Sequence, residues 1–161
     1  MPGPTPVFDF RPPVRLNYFP GRLMTAADFA REQEYLRDAR RRLTLASLGP
    51  GVVSGLKITP GKKGGIVVSS GFAIDRLGRE VLVPAPVEVA SHDKKWRYVV
   101  LEYSEELIEP LPTAVDGSGF GAVRETYHLT LRPAKPAPDD TSGAIVLGSR
   151  PLGRRKPPPG R

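Results

Sequence analysis

The sequence contains no cysteine, so neither disulfide staples nor cysteine-ligated zinc can hold this fold, and a reducing compartment fits. Histidine is almost as scarce, His92 and His128 being the only two. A metal site would have to combine them with carboxylates at a ligand spacing the chain does not show, so no metal or cofactor is expected. No apolar run approaches the roughly 18 residues of a membrane-spanning helix. The opening "MPGPTPVFDFRPP" also lacks a charged-then-apolar leader pattern. The expectation is a soluble protein made in the cytoplasm, without membrane insertion. Aromatic residues are few, with six Phe, five Tyr and one Trp, which implies a modest core.

What is abundant is proline and glycine, nineteen and seventeen among 161 residues. A chain of this length suits one domain with appendages, and so many turn formers point to an all-β or α+β module. Twenty-four bases against seventeen acids give a net charge of +7, which would ordinarily suggest a polyanionic partner. Its distribution weakens that suggestion. The last twelve residues, "RPLGRRKPPPGR", hold Arg150, Arg154, Arg155, Lys156 and Arg161 and no acid, which leaves +2 on residues 1–149. Arg154, Arg155 and Lys156 form a basic tail able to touch a polyanion nonspecifically at low salt. The run Lys94-Lys95-Trp96-Arg97-Tyr98 mixes cations and aromatics as single-strand binders do. In a strand, however, Trp96 and Tyr98 share one face and Arg97 takes the other, the pattern of an ordinary half-buried strand. Nucleic acid is not an expected partner.

Composition divides the chain into four parts. Residues 1–15, with five prolines, form an extended Pro-rich arm; 16–50 form a turn plus an amphipathic helix. Residues 51–148 form an antiparallel β-domain with a loop at 109–122 and a linker at 132–142, and 149–161 form a disordered basic Pro-rich tail. The fold class is therefore α+β, mainly β: a capped N-terminal helix followed by an antiparallel sandwich or small barrel, with Pro-rich extended tails.

The helix is sharply bounded. In "YFPGRLMTAADF" the Pro20-Gly21 pair makes a turn after Tyr18 and Phe19. Thr25 is placed to cap, with Asp28 at the third helical position as a variant capping box, and Met24 and Phe29 are spaced as a hydrophobic staple. The spacing predicts a helix from Ala26 to Leu48, stopped by Gly49-Pro50-Gly51. Along it Phe29, Leu36 and Leu43 recur every seven residues, with Glu32, Ala39 and Ala46 three further on, an a/d-like seam of about three heptads. Glu32 and Gln33 beside the seam would set its register. Glu34/Arg37 and Asp38/Arg42 are spaced as helical ion pairs. Such a narrow seam suits either a bundle with copies of itself, as a trimer or ring, or an open face of the chain's own sheet.

Beyond the helix the period falls to two: "GVVSGLKI", "GIVVSSG", "FAID", "EVLV", "VEVA", "RYVVLEYS", "ETYHLTL" and "AIVLGS" read as strands. "GKKGG" at 61–65 lacks the full phosphate-loop spacing and a following helix, so it reads as a hairpin turn. In "DRLGRE" Asp75 and Gly78 shape a tight turn, with Arg79 and Glu80 at its exit. No nucleophile lies next to a base, and the protein reads as non-enzymatic. Tyr103, with Asp116 and Phe120 from the 109–122 loop, could line a shallow surface-recognition site, which keeps a carbohydrate- or cell-surface-binding module as the alternative function.

Read together, "NYFPGRLMTAADFAREQEYLRDARRRL", "GPGVVSGLKI", "VVSSGFAIDRLGREVLVP", "YVVLEYSEELIEPLP" and "VRETYHLTL" resemble a family of bacterial proteins of contractile injection systems and phage-tail-like particles. Its members open "YFDGRLLTAEDF" and continue through "GVV-x-GL" and "G-x-A-x-D-x-x-GREI". The blocks are also similar to N-terminal regions of phage tail and fibre proteins. The matching positions are Tyr18, Phe19, Gly21, Arg22, Leu23, Thr25, Asp28, Phe29, Glu32, Gln33 and Tyr35; then Gly51, Val52, Val53, Gly55 and Leu56; then Gly71, Ala73, Asp75, Gly78, Arg79 and Glu80. Pro20 and Pro50 depart from the pattern. The resemblance implies a structural adaptor that links tube, sheath, cap or baseplate to a peripheral part such as a fibre. Its partners would be other subunits of an intracellular or released particle, with homo-oligomerisation as a trimer or ring.

Overall fold

The computed structural model describes residues 11–91, 96–112, 119–137 and 140–149. One helix, α1 (Ala26–Leu48), is followed by nine strands: β1 (Gly51–Gly55), β2 (Ile58–Pro60), β3 (Ile66–Val68), β4 (Gly71–Ile74), β5 (Glu80–Val83), β6 (Val87–Val89), β7 (Tyr98–Leu111), β8 (Gly119–Arg132) and β9 (Ile145–Ser149). The strands form three three-stranded sheets, ordered β1-β4-β5, β2-β3-β6 and β8-β7-β9. Every strand pair is antiparallel. The α+β, mainly β expectation holds.

Alternating burial in β3 and β5 and consecutive buried residues in β4 and β7 close the core. Ala73, Val81 and Val83 come from the first sheet, Ile66 and Val68 from the second, and Val99, Leu101 and Ile145 from the third, joined by Leu56 in one buried cluster. Burying a side chain of this size stabilises by roughly 1.5–3 kcal/mol each, so the three small sheets hold each other together. Close backbone contact assists: Gly55 and Gly71 are cross-strand partners. A side chain at Gly71 would meet the Ser54 carbonyl at 2.4 Å, which explains why both positions are glycine.

"GKKGG" is a hairpin turn between β2 and β3, as expected, with a 3₁₀ turn over Lys62–Gly64. The Gly61 N–H donates to the Gly65 carbonyl and the Lys62 N–H to the Glu88 carboxylate.

The expected loop at 109–122 is narrower: among its described residues, 109–111 belong to β7 and 119–122 to β8. β7 and β8 remain in register through Ile108↔Ala122, Pro110↔Phe120 and Leu111↔Gly119, so both strands run well into that segment. Proline suggested a break because it cannot donate to a ladder. It is tolerated here because β9 accompanies β7 only from Tyr98 to Leu101, leaving β7 an edge strand beyond that point. No helix among the described residues is long and apolar enough to cross a membrane.

Candidate functional site

The start of α1 is held by a network centred on Asp28. The Phe19 carbonyl accepts from the Arg22 N–H, closing the Pro20-Gly21 turn with Gly21 at φ 85°. Arg22 then donates to the Asn17 carbonyl at 2.7 Å and to Asp28 Oδ1 at 2.8 Å. The capping box is complete: the Thr25 hydroxyl accepts from the Asp28 N–H, and Asp28 Oδ2 accepts from the Thr25 N–H at 3.0 Å. These bonds to the ionised form, the Thr25 backbone N–H first, hold the Asp28 carboxyl below its ordinary range. Thr25, Asp28 and Gly21 thus play the expected entry roles. Tyr18 and Phe19 lie exposed beside them and Met24 is partly buried. Arg22 matters more than its place in the motif suggested, because it ties the turn to the cap.

The helix end nearest the body rests on the turn between β4 and β5. Asp75 is 1% exposed. Its Oδ1 accepts from the Leu77 and Arg79 N–H groups at 2.8 Å each, and its Oδ2 from Arg79 Nε at 2.5 Å. Arg79 also donates to the Ser142 carbonyl at 2.5 Å, and its guanidinium stacks 4.6 Å from the Tyr103 ring centroid. Gly78, at φ 80°, lets the helix approach: a Cβ there would lie 2.5 Å from the Arg41 carbonyl oxygen. Arg40 then binds Glu80 through both Nε and a terminal nitrogen, at 2.9 and 2.7 Å. The "DRLGRE" residues are therefore one latch joining helix, hairpin, β7 and the segment before β9.

An open cleft of about 90 Å³ lies over this latch, lined by Arg37, Arg40, Arg41, Arg79, Tyr103 and Glu125 among others. Its arginines are already engaged, Arg37 with Glu34, Arg40 with Glu80, Arg41 with Asp38 and Arg79 with Asp75. The cleft is stitched by ion pairs and has no free cation cluster to recruit an anion. Burial, followed by the hydrogen bond to Glu105 and the charge of Glu125, pushes the Tyr103 hydroxyl well above the usual phenol range. Among the described residues no group of three or more His, Asp or Glu is placed to hold a metal.

The seam points the other way. Leu45 is the one buried residue of α1, at 5% exposure. At about 100° per residue, Leu36 lies half a turn from it. Phe29, Leu36 and Leu43 are 56%, 57% and 69% exposed. Gln33 and Ala46 are exposed too, while Glu32 and Ala39 are partly buried. Glu32 Oε2 is shut off from water without a hydrogen-bond partner among the described residues.

Two expectations require correction. Asp38 pairs with Arg41 rather than Arg42, because Arg41 lies on the flank facing the β-domain; Glu34–Arg37 forms as expected. Tyr103 and Phe120 do not share a recognition site. Tyr103 pairs with Tyr127 at the root of the hairpin, whereas Phe120 pairs with Pro110, seven residues or about 24 Å of strand away. Asp116 and the tail residues Arg154, Arg155 and Lys156 fall outside the described residues.

No family model matches the chain, and no curated protein does. Among solved structures it is similar to the crystal structure of TssK, with 17% identity over 73% of this chain and a TM-score of 0.45. The matched region is 35% of the TssK chain, so this chain spans about a third of that protein's length.

Proposed function

We propose that the protein is a non-enzymatic structural component of a contractile, tail-like injection particle, an adaptor whose helix seam is buried against other subunits. The ordered sequence blocks between residues 17 and 131 support the particle assignment. The observation that carries the interface is the outward seam: Phe29, Leu36 and Leu43 are each more than half exposed, on the side of α1 opposite Leu45.

Magnitudes favour an external partner for this helix. Of its 23 residues a single leucine is fully buried, worth roughly 1.5–3 kcal/mol; the rest of the attachment is the close approach to Gly78, partly buried flanking residues and ion pairs whose exposed members contribute about 0–1 kcal/mol each. Isolated helices are marginal in water and draw most of their stability from packing an amphipathic face. Here that face is open. Glu32 within the seam fits an interface in which a polar position sets register.

Co-expression with the tube, sheath and baseplate subunits of the same genome tests the assignment. Wild type should co-sediment with assembled particles, and Leu36→Asp/Leu43→Asp should be lost from them while remaining folded. A wild-type protein that never enters the particle fraction would contradict it.

A further inference from the structure

The β7–β8 hairpin outgrows the body. β9 leaves β7 after Leu101, yet β7 and β8 stay paired to Leu111↔Gly119. Residues 105–111 alone extend about 20 Å, as a ribbon with no third strand. Two strands by themselves are marginal in water, and this pair carries large apolar side chains into solvent. Leu107, Leu111, Phe120 and Val123 are each more than half exposed. Leu107 and Val123 are direct cross-strand partners, so they make a patch and not scattered exposure.

The ribbon also has a set shape. Glu109 adopts φ 60°, a left-handed conformation that costs a non-glycine residue energy and that recurs at functional sites. Gly121 leaves room beside it, since a Cβ there would lie 3.0 Å from the Leu111 side chain.

Its charge is opposite to the rest of the molecule. Residues 104–126 hold five acids, Glu105, Glu106, Glu109, Asp116 and Glu125, and one base, Arg124; the other residues up to 149 hold eighteen bases and twelve acids. Glu105 and Glu125 face each other directly at the base of the ribbon, beside the cleft lined by Arg37, Arg40 and Arg41 of the same chain; further out Glu106 pairs with Arg124, and the ribbon as a whole keeps its excess of acid.

We propose that this arm docks on a second copy of the same chain, its Leu107/Val123 patch and acidic residues covering the Arg31/Arg42 flank of the neighbour's α1. Arg31 and Arg42 make no ion pair among the described residues, unlike Arg37, Arg40 and Arg41. They lie about 120–140° around the helix from Arg37, the flank that borders the copy's own arm through the Tyr103 cleft. Donor and acceptor surfaces are therefore different patches of one molecule. The contact is head-to-tail and closes a ring when the rotation permits. It uses the flank of α1 that borders Ala39 and Ala46, away from Phe29, Leu36 and Leu43, and stands without the particle assignment.

The absence of native cysteine makes the test clean. Full-length Val123→Cys and Arg31→Cys proteins, prepared separately, are mixed and oxidised; Leu36→Cys alone reports contact between seams. The arm contact gives a mixed Val123–Arg31 dimer, reduced several-fold when Glu105→Arg and Glu109→Arg are added to the arm. Leu36 cross-links without Val123–Arg31 cross-links would overturn the arm and leave the seam. Wild type sedimenting as a monomer, with no cross-link of either kind, would overturn both. Leu107→Asp/Val123→Asp, melting at the wild-type temperature but sedimenting as a smaller species, provides support independent of cysteine placement.

Discussion

Replacing Asp75 by Asn probes the latch with almost no change of shape. The substitution keeps an oxygen to accept from the Leu77 and Arg79 N–H groups, now at 2.8 Å. It places an amide donor, however, against Arg79 Nε, which the native carboxylate meets at 2.5 Å. Asp75 is 1% exposed and the Arg79 side chain 19%. Breaking a buried pair costs about 3–5 kcal/mol, and the partial exposure of Arg79 brings the expected loss to about 2–4 kcal/mol. For a domain of this size each kcal/mol lowers the melting temperature by roughly 3–4 °C, so calorimetry should show a drop of about 10 °C. Arg79→Leu should cost a comparable amount, and the double variant clearly less than the two together, because the residues share one network. An Asp75→Asn protein melting within about 2 °C of wild type, or costs that simply add, would refute the latch.

Further expectations concern the helix. Leu45→Ala should destabilise by about 2–4 kcal/mol in urea unfolding, as buried leucines do, whereas Leu36→Ala in the monomeric state should change stability by less than about 0.5 kcal/mol. Gly78→Val should loosen the helix from the hairpin, since any Cβ there strikes the Arg41 carbonyl at 2.5 Å; amide exchange in the second half of α1 should rise while β7 stays protected. The Asp28 carboxyl is depressed below its ordinary value of 3.8, so its stabilising effect is fully present above that value and is lost as pH falls through the lower folded-state value. Helical circular dichroism should fall over that acid range, and Asp28→Asn should flatten the pH dependence.

Local chemistry was legible where it is set by neighbours in sequence. Thr25, Asp28 and the Gly49-Pro50-Gly51 stop placed both ends of α1, and short apolar runs and period-two patterning located the strands, with burial alternating in β3 and β5 and continuous over Val99, Val100 and Leu101 in β7. Asp75 and Gly78 were readable as a turn, but not as a latch. The reach of Arg40 to Glu80, forty residues away, and of Arg79 to Ser142 depends on how the sheets pack. The same limit explains Asp38, where i+3 and i+4 arginines were both available and the body's side of the helix decided between them. The long β7–β8 ribbon was hidden by Pro110, Pro112, Gly119 and Gly121, whose composition matches a loop. Only an edge position on β7 lets proline sit in a paired strand. The seam's residues were visible from their spacing. That they face away from the chain's own sheets follows from Leu45, which belongs to no heptad position of the seam.

The measurement that bears most directly on the account is sedimentation velocity of the full-length chain and of Leu36→Asp/Leu43→Asp, with thermal melts on the same samples. Wild type should sediment as an oligomer and the variant as a smaller species with its melting transition retained, because the seam contributes nothing to the monomer's core. A wild-type monomer together with an unfolded variant would show that the seam packs inside its own chain, contradicting the outward helix on which the proposed function stands.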